Sequence, residues 1–270
     1  IGKIGCHHKI SQEYQNQKRA FDILGNVVPK TLGFKGDGDL ASFHQEYVSE
    51  KFLPNIIADK LCYKRKKFID ESIDLFKFHQ HIFEKFLHQM ELKYTRVSSE
   101  LILKWKYVLY NLDKDFHVDS ILNQVLEDLV DRDLPCMFQH GDFCPRNIVY
   151  DDCGRKVLID WEDAANNHFA LVDFAFLNIT LKCLYISFFG GTGRSFTKND
   201  KIERNTVELR AKLCSWLGIS HLDYNYLYLA CVISLCCQNI SKGRMNTAKL
   251  ILNETFATDD ENFNLYYSIS

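Results

Sequence analysis

The feature that most constrains this fold is a long apolar segment, residues 169–189 (FALVDFAFLNITLKCLYISFF). Its length would suffice to cross a bilayer, which takes about 20 apolar residues. However, Asp173 and Lys182 lie within it, and a charge at the bilayer centre costs roughly 2.5–3.5 kcal/mol on insertion scales. A helix that is apolar all round is also typical of the centre of a large soluble domain. We therefore predict a buried helix and no membrane partner.

The composition predicts a globular domain around this helix. Of the 270 residues, 46% are hydrophobic and 25% are charged, which is close to the average for globular proteins. The formal net charge of -2 gives no overall basic character, so we expect no nucleic-acid partner. Ten cysteines occur without a CxxC pair, a pattern typical of small apolar core residues in a reducing compartment. Since the first residues lack the apolar core of a signal peptide, we predict a cytoplasmic protein.

Hydrophobic periodicity predicts an α+β fold with two unequal parts. Residues 1–48 should form a small part with a helix over 11–24 and a hairpin, whose strands cover 27–34 and 40–48 around a turn at 36–39. Residues 49–270 should form a large, mainly helical part. Its expected elements are helices over 68–86, 98–112 and 118–130, short strands over 137–140, 147–150 and 156–160, and helices from 171 onward except for a loop over 190–198.

The chemistry is concentrated in residues 140–162 (HGDFCPRNIVYDDCGRKVLIDWE). Asp142 and Asn147 flank a short loop, and Asp160 follows a short apolar strand 18 positions after Asp142. Mg²⁺ prefers carboxylate and carbonyl oxygens together with substrate phosphates. Phosphoryl transfer also needs a carboxylate that orients the attacking hydroxyl. A carboxylate, an amide and a second carboxylate across a β-hairpin would supply these groups, although Asp and Asn are also common turn residues.

Two motifs in this segment resemble a known family. HGDFCPRN resembles the catalytic loop, H-G-D-x-x-x-x-N, of the aminoglycoside phosphotransferase and choline kinase group. IDWE resembles that group's metal-binding segment, and the following VDFAF, with Asp173, agrees with it. The resemblance implies a protein-kinase-like fold of two lobes, with a partial small N-terminal lobe (1–48) and a large helical C-terminal lobe (49–270). It also implies an enzyme that transfers the γ-phosphoryl group of ATP to a small-molecule hydroxyl with the help of Mg²⁺.

The resemblance assigns a role to each residue of the two motifs. Asp142 would be the base that orients the acceptor hydroxyl. Asn147 and Asp160 would hold Mg²⁺. The supporting residues would be His140 and Asp173, which brace the catalytic loop, and Glu162, which would lie near the metal or the acceptor.

On the nucleotide side the resemblance is fainter. It implies a strand lysine that pairs with the nucleotide phosphates, for which Lys3 is the first choice and Lys9 the second. The acidic partner of this lysine should lie on the first helix. When the family's helix is aligned with this one at the leucine that ends it, the acidic position falls on Gln17, with Glu13 one turn earlier.

Residues Glu46 and Val48 would belong to the hinge whose backbone binds adenine. The family's first two strands and its glycine-rich loop should precede the lysine strand, so we expect a domain cut within its small lobe.

Two alternatives remain beside the small-molecule kinase. A kinase-like scaffold without catalysis is favoured by the absent glycine-rich loop and by Gln17, but the intact trio of Asp142, Asn147 and Asp160 opposes it. A protein kinase is disfavoured because no Ala-Pro-Glu-like triplet follows IDWE. The acceptor stays open among aminoglycosides, choline, ethanolamine, sugars and amino acids, as do the choice of ATP or GTP and the oligomeric state.

Overall fold

The computed structural model describes residues 2–48, 64–112, 120–191 and 193–256. The strands are β1 (Gly2–Cys6), β2 (Thr31–Asp37), β3 (Leu40–Gln45), β4 (Lys93–Arg96), β5 (Asp133–Gln139), β6 (Ile148–Tyr150), β7 (Lys156–Leu158) and β8 (Ala165–Phe169). The helices are α1 (His7–Leu24), α2 (Arg65–Gln89), α3 (Ser99–Leu112), α4 (Ser120–Asp128), α5 (Val172–Phe189), α6 (Gly193–Thr197), α7 (Asp200–Leu217), α8 (His221–Ser241) and α9 (Met245–Phe256). The mixed α+β class, compatible with a kinase-like two-lobe fold, is confirmed.

The N-terminal strands form an antiparallel sheet in the order β1-β3-β2. The β2–β3 hairpin turns at Gly38, whose φ of 57° is a conformation that glycine adopts without strain. Alternate side chains of β3 face α1, where Ala41 and Phe43 pack with Ile10 in a small core. This period of two follows the alternation of a strand buried on one face. The hairpin predicted from the sequence is therefore present, next to the first helix.

The described chain divides into two compact units. The first comprises Ile1–Glu91 and Phe138–Asn166, and therefore contains the N-terminal sheet, α1, α2 and the β6–β7 hairpin. The second comprises Leu92–Met137 and Asn167–Ser270, with α3, α4 and the helices from α5 onward. The lobe boundary predicted between residues 48 and 49 falls at the edge of the described residues and stays a prediction.

Helix α5 contains the long apolar segment. Among the described residues it is the one helix whose length and hydropathy would allow a membrane span, and 61% of that window is buried inside the protein. Asp173 and Lys182 are each 3% exposed. Helices α8 and α9 pack against α5 within the second unit. A helix with buried residues on every side is typical of the centre of a domain. Helix α5 therefore forms the core of the second unit.

Some predicted elements differ from the observed ones. The strand predicted over 27–34 begins only at Thr31, because Gly25–Val27 forms a 3₁₀ turn after α1. Strands β4 and β8 were not predicted, since KYTR and ANNHF carry no apolar alternation. Helix α6 lies in the segment predicted as a loop over 190–198. Residues 118 and 119 of the helix predicted over 118–130 lie outside the described residues.

Candidate active site

The segment that follows β5 places Asp142 and Asn147 on either side of a tight turn. Gly141 has a φ of 79°, which only glycine adopts readily, and it turns the chain directly after β5. Pro145 then begins a one-turn 3₁₀ helix, Pro145–Asn147, at a position where the missing N–H of proline costs no hydrogen bond. Asp142 is 9% exposed and Asn147 6% exposed, so both are held in a largely buried loop.

The carboxamide of Asn147 is fixed by Asp142. Its Nδ2 donates to the backbone oxygen of Asp142 at 2.8 Å and to Asp142 Oδ2 at 2.9 Å. Both N–H groups are thereby used, which leaves Oδ1 as the atom available to a cation. An amide oxygen beside a carboxylate is a suitable donor for a hard divalent ion.

His140 joins this loop to the segment before Asp160. Its Nδ1 accepts from the backbone N–H of Asp142 at 3.2 Å, so its Nε2 carries the proton and donates to the oxygen of Ile159 at 2.9 Å. The backbone N–H of Ile159 in turn donates to the oxygen of Asn147 at 2.9 Å. Since His140 is fully buried and contacts Trp161 edge-on at 4.6 Å, its ring orientation is fixed.

Asp160 meets the N-terminal lysine. Lys3 Nζ donates to Asp160 Oδ1 at 2.7 Å and also to Oε1 of Glu13 on α1. Burial lowers the pKa of Lys3, but the hydrogen bonds to Asp160 and Glu13 outweigh it, so the net pKa is raised and the ammonium stays charged. Burial raises the pKa of Glu13, and the ion pair with Lys3 only partly offsets this. One cation thus bridges two carboxylates.

The acidic partner of Lys3 is therefore Glu13 and not Gln17, which the alignment had placed there. Helix α1 begins at His7, directly after β1, and not at Ser11. Its first turns consequently lie beside Lys3. Gln17, one turn further along, is fully buried and donates to the oxygen of Pro29 at 2.8 Å. The second-choice lysine, Lys9, is exposed on α1.

The backbone of Asp160 is itself unusual. Its φ of 66° lies in the left-handed region, which non-glycine residues rarely adopt and which Asp and Asn tolerate best. Such conformations are often found where a side chain must be aimed at a ligand. Asn16 on α1 supports the following turn, because its Nδ2 donates to the oxygen of Ala164 at 2.6 Å.

The other predicted site residues lie on further segments of the chain. Glu162 is exposed in the turn after Asp160, and its charge contributes to the raised pKa of Glu13. Glu46 is exposed, and its backbone N–H donates to the backbone oxygen of Lys30 at 2.9 Å. Val48 is half-buried. Asp173 is buried in the first turn of α5, in the second unit.

Within the described ranges, no group of three or more His, Cys, Asp or Glu side chains is placed to hold a metal ion.

Sequence reasoning missed one contact of the candidate site. Arg146 contacts the Asp142 carboxylate, with Nη2 at 3.4 Å from both Oδ1 and Oδ2. The spacing of four residues between these opposite charges was the available signal. Phe143 and Trp161, which directly follow Asp142 and Asp160 in the sequence, are fully buried. Trp161 stacks on Phe138 at 6.2 Å and belongs to the core.

Comparison with known proteins places the chain in a class of phosphate-transferring enzymes. The model of the phosphotransferase enzyme family matches residues 27–178, which is more than half of the chain and includes both motifs and Asp173. The chain belongs to this phosphotransferase enzyme family. No curated protein matches the sequence.

Proposed function

We propose that this protein transfers the γ-phosphoryl group of ATP to a hydroxyl of a small molecule, with Mg²⁺ as the metal cofactor. The family match supports phosphotransferase activity in general. The observation that carries the finer proposal is the convergence, within the first unit, of a paired lysine, a loop aspartate and two oxygen donors. These are the groups that phosphoryl transfer needs for positioning and charge neutralisation.

Asp142 is the residue we assign to the acceptor. Its carboxylate is oriented by Asn147 and remains 12% exposed, so a hydroxyl can reach it. In the transfer, Asp142 accepts the hydroxyl proton as the acceptor oxygen bonds to the γ-phosphorus. The bond from that phosphorus to the β–γ bridging oxygen breaks, and ADP leaves with the electron pair.

Asn147 and Asp160 are the residues we assign to Mg²⁺. The Oδ1 of Asn147 is left available by the two hydrogen bonds of its Nδ2, and Asp160 supplies a carboxylate, so the donor atoms fit a hard cation. When bound, the ion would neutralise charge on the phosphates. The hydrogen bonds through His140 and Ile159 hold the two segments in register.

Lys3 is the residue we assign to the nucleotide phosphates. An ammonium group has three N–H donors, and two of them are used on Glu13 and Asp160. The third can donate to a phosphate oxygen, and the lysine side chain is 31% exposed. Because Glu13 provides the acidic partner, Gln17 no longer argues for the scaffold alternative. The cytoplasmic location and the absence of membrane or nucleic-acid partners stay predictions.

Calorimetric titration with ATP, with and without Mg²⁺, tests this proposal. The key variant is Asp160→Asn, because asparagine tolerates the left-handed backbone while it removes the charge. We expect metal-dependent binding in the wild type, its loss in Asp160→Asn, and no change in Asp152→Asn, an exposed carboxylate in the β6–β7 turn. Asp142→Asn should keep Mg·ATP affinity and lose transfer, measured as acceptor-dependent ADP release. Unchanged Mg·ATP affinity in Asp160→Asn would remove the metal assignment.

A further inference from the structure

The guanidinium of Arg146 lies beside the carboxylate that we assign to the acceptor. Its Nη2 contacts both oxygens of Asp142 at 3.4 Å. Within the described part of the chain it is the one cation at ion-pair distance from Asp142. The Arg146 side chain is 57% exposed, against 12% for Asp142. A positive charge is therefore open to solvent next to the group that the acceptor hydroxyl must contact.

The guanidinium of Arg146 interacts with the Asp142 carboxylate and with the thiol of Cys144, and it keeps further N–H donors. An arginine side chain carries five N–H donors, and Asp142 takes only Nη2. The Nε and Nη1 atoms of Arg146 donate to no oxygen atom of the described residues. Adjacent N–H donors of this kind match the two oxygens of a carboxylate or phosphate group. The geometry thus offers an anion site beside the acceptor hydroxyl.

We propose that Arg146 determines acceptor specificity, by favouring molecules whose reactive hydroxyl is flanked by an anionic group. This inference rests on the proposed phosphoryl transfer. With the hydroxyl on Asp142, a neighbouring carboxylate or phosphate pairs with Arg146. An ammonium in the same place would lie beside the guanidinium, and at partly exposed sites that repulsion weakens binding by about tenfold or more. Cationic acceptors such as ethanolamine are therefore disfavoured.

The experiment compares acceptors of similar size and different charge on the full chain. Glycolate, ethylene glycol and ethanolamine present a hydroxyl next to a carboxylate, a neutral group and an ammonium, and glycerol 3-phosphate with glycerol adds a phosphate pair. The readouts are kcat/KM from ADP release and, separately, Mg·ATP affinity by calorimetry. We expect wild type to prefer the anionic acceptors over ethanolamine by at least about tenfold.

The variant is Arg146→Gln, which removes the charge and keeps polar atoms. We expect it to abolish the preference for anionic acceptors while Mg·ATP affinity stays within about twofold. Arg155→Gln is the matched control, because Arg155 also pairs with an aspartate four residues earlier, Asp151, at 2.7 Å and with the same 57% exposure. That control should keep the wild-type preference.

Four results would overturn the inference. They are a wild-type preference for ethanolamine, a preference that survives in Arg146→Gln, an absence of transfer to both anionic acceptors, and a loss of Mg·ATP affinity in Arg146→Gln. The last would assign the guanidinium to the nucleotide phosphates. If the wild type binds Mg·ATP but transfers to neither anionic acceptor, this inference alone fails. If the wild type binds no Mg·ATP, the proposed function fails as well.

Discussion

The Glu13→Gln substitution tests how the nucleotide side of the site is organised. Glu13 is 3% exposed on α1 and pairs with Lys3, which also donates to Asp160 Oδ1 at 2.7 Å. Glutamine keeps the size and an acceptor oxygen but removes the charge. Lys3 would then retain one charged partner, Asp160, which is the carboxylate that we assign to Mg²⁺.

The expected loss of stability is small. The glutamine oxygen still accepts from the charged ammonium, so only part of the about 1.5–3 kcal/mol of a hydrogen bond to a charged group is lost, about 1–2 kcal/mol. Burial raises the pKa of Glu13, which means that its charge is itself unfavourable there, and glutamine recovers part of that cost. We expect a net destabilisation of about 1 kcal/mol, which lowers Tm by about 2–4 °C in a chain of this size.

The expected effect on the nucleotide is larger. With Glu13 neutral, the ammonium of Lys3 is drawn to Asp160 and competes with the metal for it. We expect Mg·ATP affinity to fall about tenfold, or about 1.4 kcal/mol, while the weaker binding of ATP without metal changes less. Calorimetry and thermal denaturation measure both effects, and Glu91→Gln, at an exposed site, is the control. Unchanged Mg·ATP affinity in Glu13→Gln, together with a loss of Mg·ATP affinity in Gln17→Ala, would refute this reasoning. It would favour Gln17, the residue that the alignment indicates.

Two further predictions concern the catalytic loop and the hairpin beside it. His140→Phe leaves the N–H of Asp142 and the oxygen of Ile159 without their partner, so we expect about 2–4 kcal/mol of destabilisation by denaturant titration, and a fall in kcat that exceeds any change in Mg·ATP affinity. Burial, and then the hydrogen bond to Glu71, raise the pKa of Tyr150 to about 12, above its usual 10. The folded state therefore keeps a proton that the unfolded state loses, so stability falls as pH rises from about 10 to 12, and Tyr150→Phe should show a smaller fall in the same denaturation series. An equal fall in both proteins would show that folding does not raise the pKa of Tyr150.

The loop over residues 140–147 could be located from the sequence because its motif, HGDFCPRN, resembles a family's loop, and two of its residues also meet local backbone requirements. Gly141, with φ of 79°, and Pro145, at the start of a 3₁₀ turn, are residue types that the local conformation demands. The strong periodicity of α2 and the apolar character of α5 likewise predicted long helices whose ends lie within a few residues of the observed ones. Such signals are local, and a single sequence contains them.

The charge partners could not be predicted in the same way. Whether Lys3 meets Glu13 or Gln17 depends on where α1 begins, and both residues lie on the same helical face one turn apart. Periodicity identifies a face but not the first turn, because the residues before Ser11 have no apolar repeat. The contact of Arg146 with Asp142 likewise depends on the fold, because the one-turn 3₁₀ helix Pro145–Asn147 brings residues four positions apart together. These pairings are properties of the fold, and so the sequence left them open.

The separation of 18 residues between Asp142 and Asp160 has a simple structural origin. Strands β6 and β7 pair in a register that sets Ile148 opposite Leu158, and the hydrogen bond from Ile159 to Asn147 extends this ladder to the catalytic loop. The turn that closes the hairpin is fixed by Asp151, whose Oδ1 accepts from the backbone N–H groups of residues 153 and 155 at 2.9 and 2.8 Å. The register therefore brings the segment of Asp160 back beside the loop of Asp142 and Asn147, whereas the turn sets how many residues this takes. It follows that the proximity of Asp160 to Asn147 is the physical requirement of the site, and the number 18 is its consequence for a hairpin of this length.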